Sequence, residues 1–260
     1  MKRAPNKFIR KIITVVGESD PTRAVGAFVD IHRRVGDTLE SIASRLGVAD
    51  IVEEKLPFEG GIFEDQGHVR IKINSLSPRV RQRFTLAHEI GHLLLAEMLK
   101  GNTDCSRDKQ LEQACDAIAA ELLMPADQSV SFTRQLGPPS PQALRELSRK
   151  FGVSLHTAAL RVHSDLELWP QSIGLWEFKG KRQVAGSTTG SGVDDCPEEV
   201  WFVGRRHWRT KSPPFAAFQR ALTSSEPVRC RETYLEDNTM KPIAFEVLHV
   251  GYQRLLGIVE

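Results

Sequence analysis

His88, Glu89 and His92 stand in the order H-E-x-x-H, as His88-Glu89-Ile90-Gly91-His92. On an α-helix, positions i and i+4 share a face. Both imidazoles can then reach one metal ion. Glu89, one position round, can take the proton of a water activated by that ion. Zinc brings the pKa of such a water to about 7, so a nearby carboxylate is an adequate base for attack on a peptide carbonyl. The neighbours Thr85, Leu86, Ala87, Ile90, Gly91, Leu93 and Leu94 carry no charge, which suits a buried helix. Two imidazoles and a carboxylate on such a helix are costly without a shared partner.

A catalytic zinc takes three protein ligands and keeps one open position. The third ligand must come from elsewhere. Glu112 and Asp116 lie four residues apart on a second predicted helix, and Glu112 is the expected ligand. Glu121 competes for that role, although helical spacing points it to the opposite side. Asp116 can accept a hydrogen bond from the other ring N–H of a ligand histidine and fix its tautomer. The alternative for Asp116 is a solvated helix charge. Cys115 falls in the same segment, and a local role for it stays open.

These groups need two adjacent helices, and the pattern supplies them. Ser77-Pro78 reads as a capping hydroxyl followed by proline at the first helical position. The helix runs through Phe84, Leu86, Ala87, Ile90, Leu93, Leu94 and Met98 and stops at Gly101-Asn102. A loop at 101–105 lets the second helix, 107–123, fold back and end at Pro125. Upstream, 22–46 reads as helix with a break at Gly36-Asp37. Residues 61–73 read as a hairpin turning at Asp65-Gln66-Gly67, with Val69, Ile71 and Ile73 on one face and Arg70 and Lys72 on the other. Gly137-Pro138-Pro139-Ser140-Pro141 is a linker. Two short helices follow, 141–151 and 155–163, joined by Gly152-Val153-Ser154. Beyond Trp169-Pro170, strands at 173–178, 200–203 and 245–250 surround a helical stretch at 215–222. The expected fold class is α+β. The expected domains are a basic, weakly structured lead-in over 1–21, a metallopeptidase core with a small sheet over 22–137, a helix-turn-helix-like segment over 138–169, and a C-terminal α+β domain over 170–260.

The composition is that of a globular protein: 260 residues, 40% hydrophobic and 26% charged. Disorder as the dominant state is excluded. Lys+Arg 35 against Asp+Glu 33 gives +2, too even for wholesale binding to nucleic acid or an anionic membrane. No apolar run is long enough for a spanning helix or a signal-peptide core, and a cytoplasmic protein is expected. Cys105, Cys115, Cys196 and Cys230 are scattered without a C-x-x-C pair, which reads as reduced thiols. The 141–163 helical pair also reads as a DNA-binding motif, but offers few contact residues and is better taken as a structural hairpin. The basic runs 179–182 and 205–211, the second with Trp208, are read as solvated surface. His156, His163, His207, His249, Tyr234 and Tyr252 could each steady an oxyanion, and the sequence does not choose among them.

The stretches 81–95 (RQRFTLAHEIGHLLL) and 112–125 (EQACDAIAAELLMP) resemble the ImmA/IrrE family of metallopeptidases, which shares the gluzincin order His88-Glu89-x-x-His92 followed by Glu112-x-x-x-Asp116. Residues 144–161 resemble the helical segment after the core in that family, so the likeness covers about 22–165. Asp116 stands where many members have Asn, and both residues accept a hydrogen bond. The resemblance implies a zincin-like core in which His88, His92 and Glu112 hold zinc, or alternatively manganese, and Glu89 acts as general base. It implies an endopeptidase that cleaves a helix-turn-helix transcriptional repressor and so derepresses a stress, DNA-damage or mobile-element response. One branch of the family adds a GAF-like sensor domain, which 170–260 matches in size and mixed pattern alone. The rival reading is a non-catalytic regulatory protein that binds DNA or a repressor and keeps a structural or vestigial metal site.

Overall fold

The computed structural model describes residues 6–34, 36–99, 108–177, 198–204, 220–221, 224–236, 239–251 and 254–259. The expected loop at 101–105 with Cys105, both basic runs with His207 and Trp208, most of the helical stretch at 215–222, Cys196 and Tyr252 lie outside the described residues. So do the side chains of Cys230 and Tyr234. The chain divides into two compact units, residues 1–131 with 149–157 and residues 132–148 with 158–260.

The first unit opens with α1 (Lys7–Val16). The Asn6 side chain accepts from the N–H groups of Phe8 and Ile9 at 3.1 and 2.8 Å, and Gly17 ends the helix at φ +73°. Phe8, Ile9 and Ile12 are buried while Lys7, Arg10 and Lys11 face out. Over the described residues 6–21, the weakly structured lead-in expected for 1–21 is thus corrected. Its basic residues occupy the outer face of an amphipathic helix and mask a short apolar stripe. α2 (Pro21–His32) starts at the cap residue Asp20, and Gly36 at φ +84° turns the chain into α3 (Leu39–Arg45). The break expected at Gly36-Asp37 is therefore present.

β1 (Val48–Glu54) pairs parallel with β3 (His68–Asn74), which pairs antiparallel with β2 (Gly60–Asp65), giving the order β1-β3-β2. Gln66 and Gly67 both have positive φ, +50° and +79°, as the favoured two-residue hairpin turn requires. Ile71 and Ile73 are buried, while Arg70 and Lys72 pair with Asp65 and Glu54 at 2.9 and 2.8 Å. β1 escapes sequence reading because only Val48 is buried along it. Asp50, Glu53 and Glu54 erase its alternation.

α4 (Arg79–Met98) follows directly. Pro78 occupies the cap position itself, and its carbonyl accepts from Arg81 and Gln82 at 2.8 and 3.0 Å. The capping role expected of Ser77 is corrected, because its hydroxyl donates to Glu59 at 2.5 Å. The buried Gln82 amide donates to the carbonyls of Ser75 and Ser77, which fixes the entry of the helix. α5 (Lys109–Leu123) is capped by Asp108 and tied to α1: Asn6 Nδ2 donates to the Gln110 carbonyl at 3.0 Å, and Lys7 pairs with Asp108.

Along the chain come α6 (Ala126–Leu136), α7 (Pro141–Phe151) and α8 (Leu155–Leu160). Ser140 and Ser154 hydroxyls accept from the Ala143 and Thr157 amides at 3.1 and 3.0 Å, capping the last two. The helix expected over 155–163 is α-helical only to Leu160 and widens into a π-helical turn at Arg161–Asp165.

The second unit carries a five-stranded antiparallel sheet. Its strands are β4 (Ser172–Glu177), β5 (Glu198–Val203), β6 (Val228–Glu236), β7 (Thr239–Gly251) and β8 (Arg254–Val259), in the order β5-β4-β8-β7-β6. Gly174 of β4 faces Gly257 of β8. The buried Trp176 ring lies over both, so a Cβ at either would collide with it. Phe202 meets that ring edge-on, centroids 6.2 Å apart. The chain is α+β, as expected. Among the described residues, no helix is long and apolar enough to cross a membrane.

Candidate metal centre

α4 and α5 pack side by side, and one glycine sets how closely. A Cβ on Gly91 would come within 3.2 Å of both the Cα and the carbonyl oxygen of Cys115. With no side chain there, α5 lies directly on the turn of α4 that carries His88 and His92. Arg83, one turn and more upstream, donates from Nη1 to the carbonyls of Phe151 and Gly152 at 2.5 and 3.2 Å. This ties the turn after α7 to α4.

The facing helices bring four polar groups together. His88 Nε2 and His92 Nε2 are 3.2 Å apart. Glu112 sets one carboxylate oxygen 3.2 Å from His88 Nε2 and the other 3.4 Å from His92 Nε2. Donors bound at about 2.0–2.1 Å to one tetrahedral ion sit about 3.3–3.4 Å from each other. The separations of the three side chains therefore fit a single metal ion. On the other side of the ring, His88 Nδ1 donates to Asp116 Oδ1 at 2.9 Å. Asp116 is one turn beyond Glu112, so a single face of α5 serves both contacts.

Glu121 lies elsewhere. It is buried, accepts the N–H of Ala126 at 3.0 Å, and approaches Gly26 of α2. Its carboxylate thus caps the start of α6. Of the oxyanion candidates, His163 is engaged by the Trp169 carbonyl, 2.9 Å from its Nδ1.

The electrostatics follow from burial. Burial opposes charge on His88, but the Asp116 hydrogen bond and the charges of Asp116, Glu89 and Glu112 outweigh it and raise its pKa. For His92, burial and then the charge of His88 outweigh the charges of Glu112 and Asp116 and lower its pKa. Glu89 is buried, which raises its pKa, and Glu112 adds to the shift while His88 opposes it. Burial also pushes the Cys115 thiol up, helped by Glu112, Asp116 and Glu89. Sequence reasoning placed Gly91 only among uncharged neighbours. Its signal was its position between the two histidines, where a second helix must come close.

Residues 37–163 match the family described as the IrrE N-terminal-like domain. A radiation response metalloprotease, IrrE, of Deinococcus radiodurans is 36% identical over 129 residues, covering 47% of this chain and 38% of that protein. Its namesake in Deinococcus deserti is 41% identical over 105 residues, covering 38% of this chain and 37% of that protein. The match thus spans less than two-fifths of either relative's length. A solved structure of a Mycobacterium tuberculosis transcriptional regulator is similar in fold, with a TM-score of 0.54 at 12% identity, over 97% of this chain and 79% of that one.

Proposed function

Residues 37–163 belong to the IrrE N-terminal-like peptidase family, and from that premise we propose that the chain is a metal-dependent endopeptidase. The reading assigns His88, His92 and Glu112 as metal ligands, Glu89 as general base and then acid, and Asp116 as the group that orients His88. The observation that carries it is that His88 Nε2 and His92 Nε2 lie 3.2 Å apart with one Glu112 carboxylate oxygen 3.2 Å from the first and the other 3.4 Å from the second. A divalent ion held there, zinc or manganese, supplies Lewis acidity toward a peptide carbonyl and an attacking water. Glu89 takes the proton of that water and passes it to the leaving amide nitrogen. Its raised pKa brings it toward the operating range of a base that must also act as an acid. Asp116 accepts from His88 Nδ1, which would leave Nε2 free to hold a metal ion. β2, an edge strand packed against α4, offers a peptide an open sheet edge.

The proposed substrate is a helix-turn-helix transcriptional repressor in the cytoplasm, whose cleavage starts a stress or DNA-damage response. The Deinococcus relatives are radiation response metalloproteases, which supports a protease acting in a stress response. Residues 138–169 are then a helix-turn-helix-like segment following a core over 22–137, and 170–260 a sensor domain that gates it. The test uses the full chain, loaded with zinc or manganese, against purified repressors from the same genome, with products read by mass spectrometry. Wild type should cut one repressor at one bond. Glu89→Gln should keep its metal and cut about 10²–10⁴-fold more slowly. Undiminished cleavage by metal-loaded Glu89→Gln contradicts the mechanism.

A further inference from the structure

We propose that the cavity between α3 and the end of α7 binds a small polyphosphate ligand with an apolar body, the chemistry of a nucleotide. The cavity has a volume of about 660 Å³, within the roughly 300–1,000 Å³ of small-molecule sites. All of its lining residues belong to the first compact unit. His88, His92 and Glu112 are not among them, so the site is separate from the metal centre and does not depend on the reading of it. Arg33 after α2, Arg83 on α4, and Arg149 and Lys150 at the end of α7 meet there, against the carboxylates of Asp37 and Glu40. Asp37 is already paired with Arg45, which does not line the cavity. Four cations around one hollow repel each other, and an anion of several charges relieves that repulsion.

One of the four cations is fixed in place. Arg83 Nη1 donates to the Phe151 and Gly152 carbonyls. Gly152 has φ +60°, and a Cβ there would come within 2.5 Å of that same nitrogen. The turn after α7 thus needs glycine both for its backbone and to admit the guanidinium. Anchoring Nη1 leaves Nη2 and Nε to donate to a phosphate in a set orientation. The walls are mixed. Leu122, Leu123 and Phe151 are buried, while Arg83, Arg149 and Lys150 are exposed. Apolar walls with cations at the margin match a ligand with an apolar ring at one end and phosphates at the other. The number of cations favours a di- or triphosphate over a single carboxylate. Residues from five helices, α3 to α7, line the cavity. That makes it a hollow for a small molecule rather than the extended groove of a peptide.

The test is calorimetric titration of the full-length protein with MgATP, pyrophosphate and adenosine as probes. Wild type is compared with Arg33→Gln, Arg83→Lys and a control for charge alone, Lys11→Gln on the exposed face of α1. Circular dichroism melts confirm that each variant is folded. Wild type should bind one MgATP per chain and bind pyrophosphate and adenosine more weakly. Arg33→Gln and Arg83→Lys should each weaken MgATP about tenfold, and Lys11→Gln should leave it unchanged. Hydrogen exchange on wild type needs no substitution: MgATP should slow exchange over 33–42 and 149–152 and leave β1–β3 as they were. No binding of MgATP or pyrophosphate at about 1 mM overturns the proposal. So does equal MgATP affinity in wild type and both arginine variants, or protection confined to other segments. Equal affinity for MgATP and pyrophosphate also overturns it, since the apolar walls then add nothing. A single-stranded oligonucleotide that displaces MgATP at lower concentration assigns the cavity to nucleic acid instead.

Discussion

On α4 and α5, the groups that could do chemistry sit within one or two helical turns of each other. The sheet of β4–β8 instead joins Ser172 to Val259 and Trp176 to Leu255 across most of a domain. The helix pair gathers ionisable side chains and balances them: His88 against Asp116, and both histidines against Glu112. The sheet gathers apolar ones, with Trp176 laid over Gly174 and Gly257. Among the described residues, the set of His88, His92 and Cys115 has no counterpart in the sheet. The comparison teaches that one region is organised around buried polarity that wants a partner, and the other around plain burial.

Substitutions can separate the two. Trp176 is buried under Phe202 and over two glycines, so Trp176→Ala should cost about 3–5 kcal/mol in the sheet. Metal bound per folded chain should stay unchanged. Denaturant unfolding alongside metal analysis checks both parts, and a loss of metal from the folded variant would erase the contrast. Gly91→Ala forces a Cβ to 3.2 Å from the Cys115 backbone and should cost about 1–3 kcal/mol. It should also weaken metal binding, since it parts the two helices that carry the ligands. Normal metal affinity in a folded Gly91→Ala protein would show that the close approach is not what sets the site.

The smallest expected effect lies outside both regions. The Arg45 guanidinium, then the Arg34 amide, hold the Asp37 carboxyl down to about 2 from 3.8. A depressed carboxylate stabilises the fold above its unfolded value and loses that contribution as pH falls toward 2. Asp37→Asn should therefore melt slightly below wild type at neutral pH and together with it near pH 2. Equal melting at neutral pH would show that the pair adds nothing, the common result for surface ion pairs.

The same comparison explains what the sequence made legible. Helical spacing is local, so His88, His92, Glu112 and Asp116 could be put on facing sides of two helices from residue order alone. The hairpin of β2 and β3 was legible through Gln66-Gly67 and the alternation of Ile71 and Ile73. α1 was hidden because its three buried residues, interleaved with Lys7, Arg10 and Lys11, read as a charged tail. β1 was hidden because it buries only Val48, and β6 because its pairing with β7 has no local signature. The contact of Gly91 with Cys115 joins two helices, and nothing along either one announces it.

The most direct test of the account is metal content, measured by inductively coupled plasma mass spectrometry on purified wild type and on folded Glu112→Gln. The three-ligand site predicts one zinc or manganese per wild-type chain and a sharp loss in the variant. A wild type that stays metal-free after reconstitution, or a variant that keeps its full metal, would contradict it.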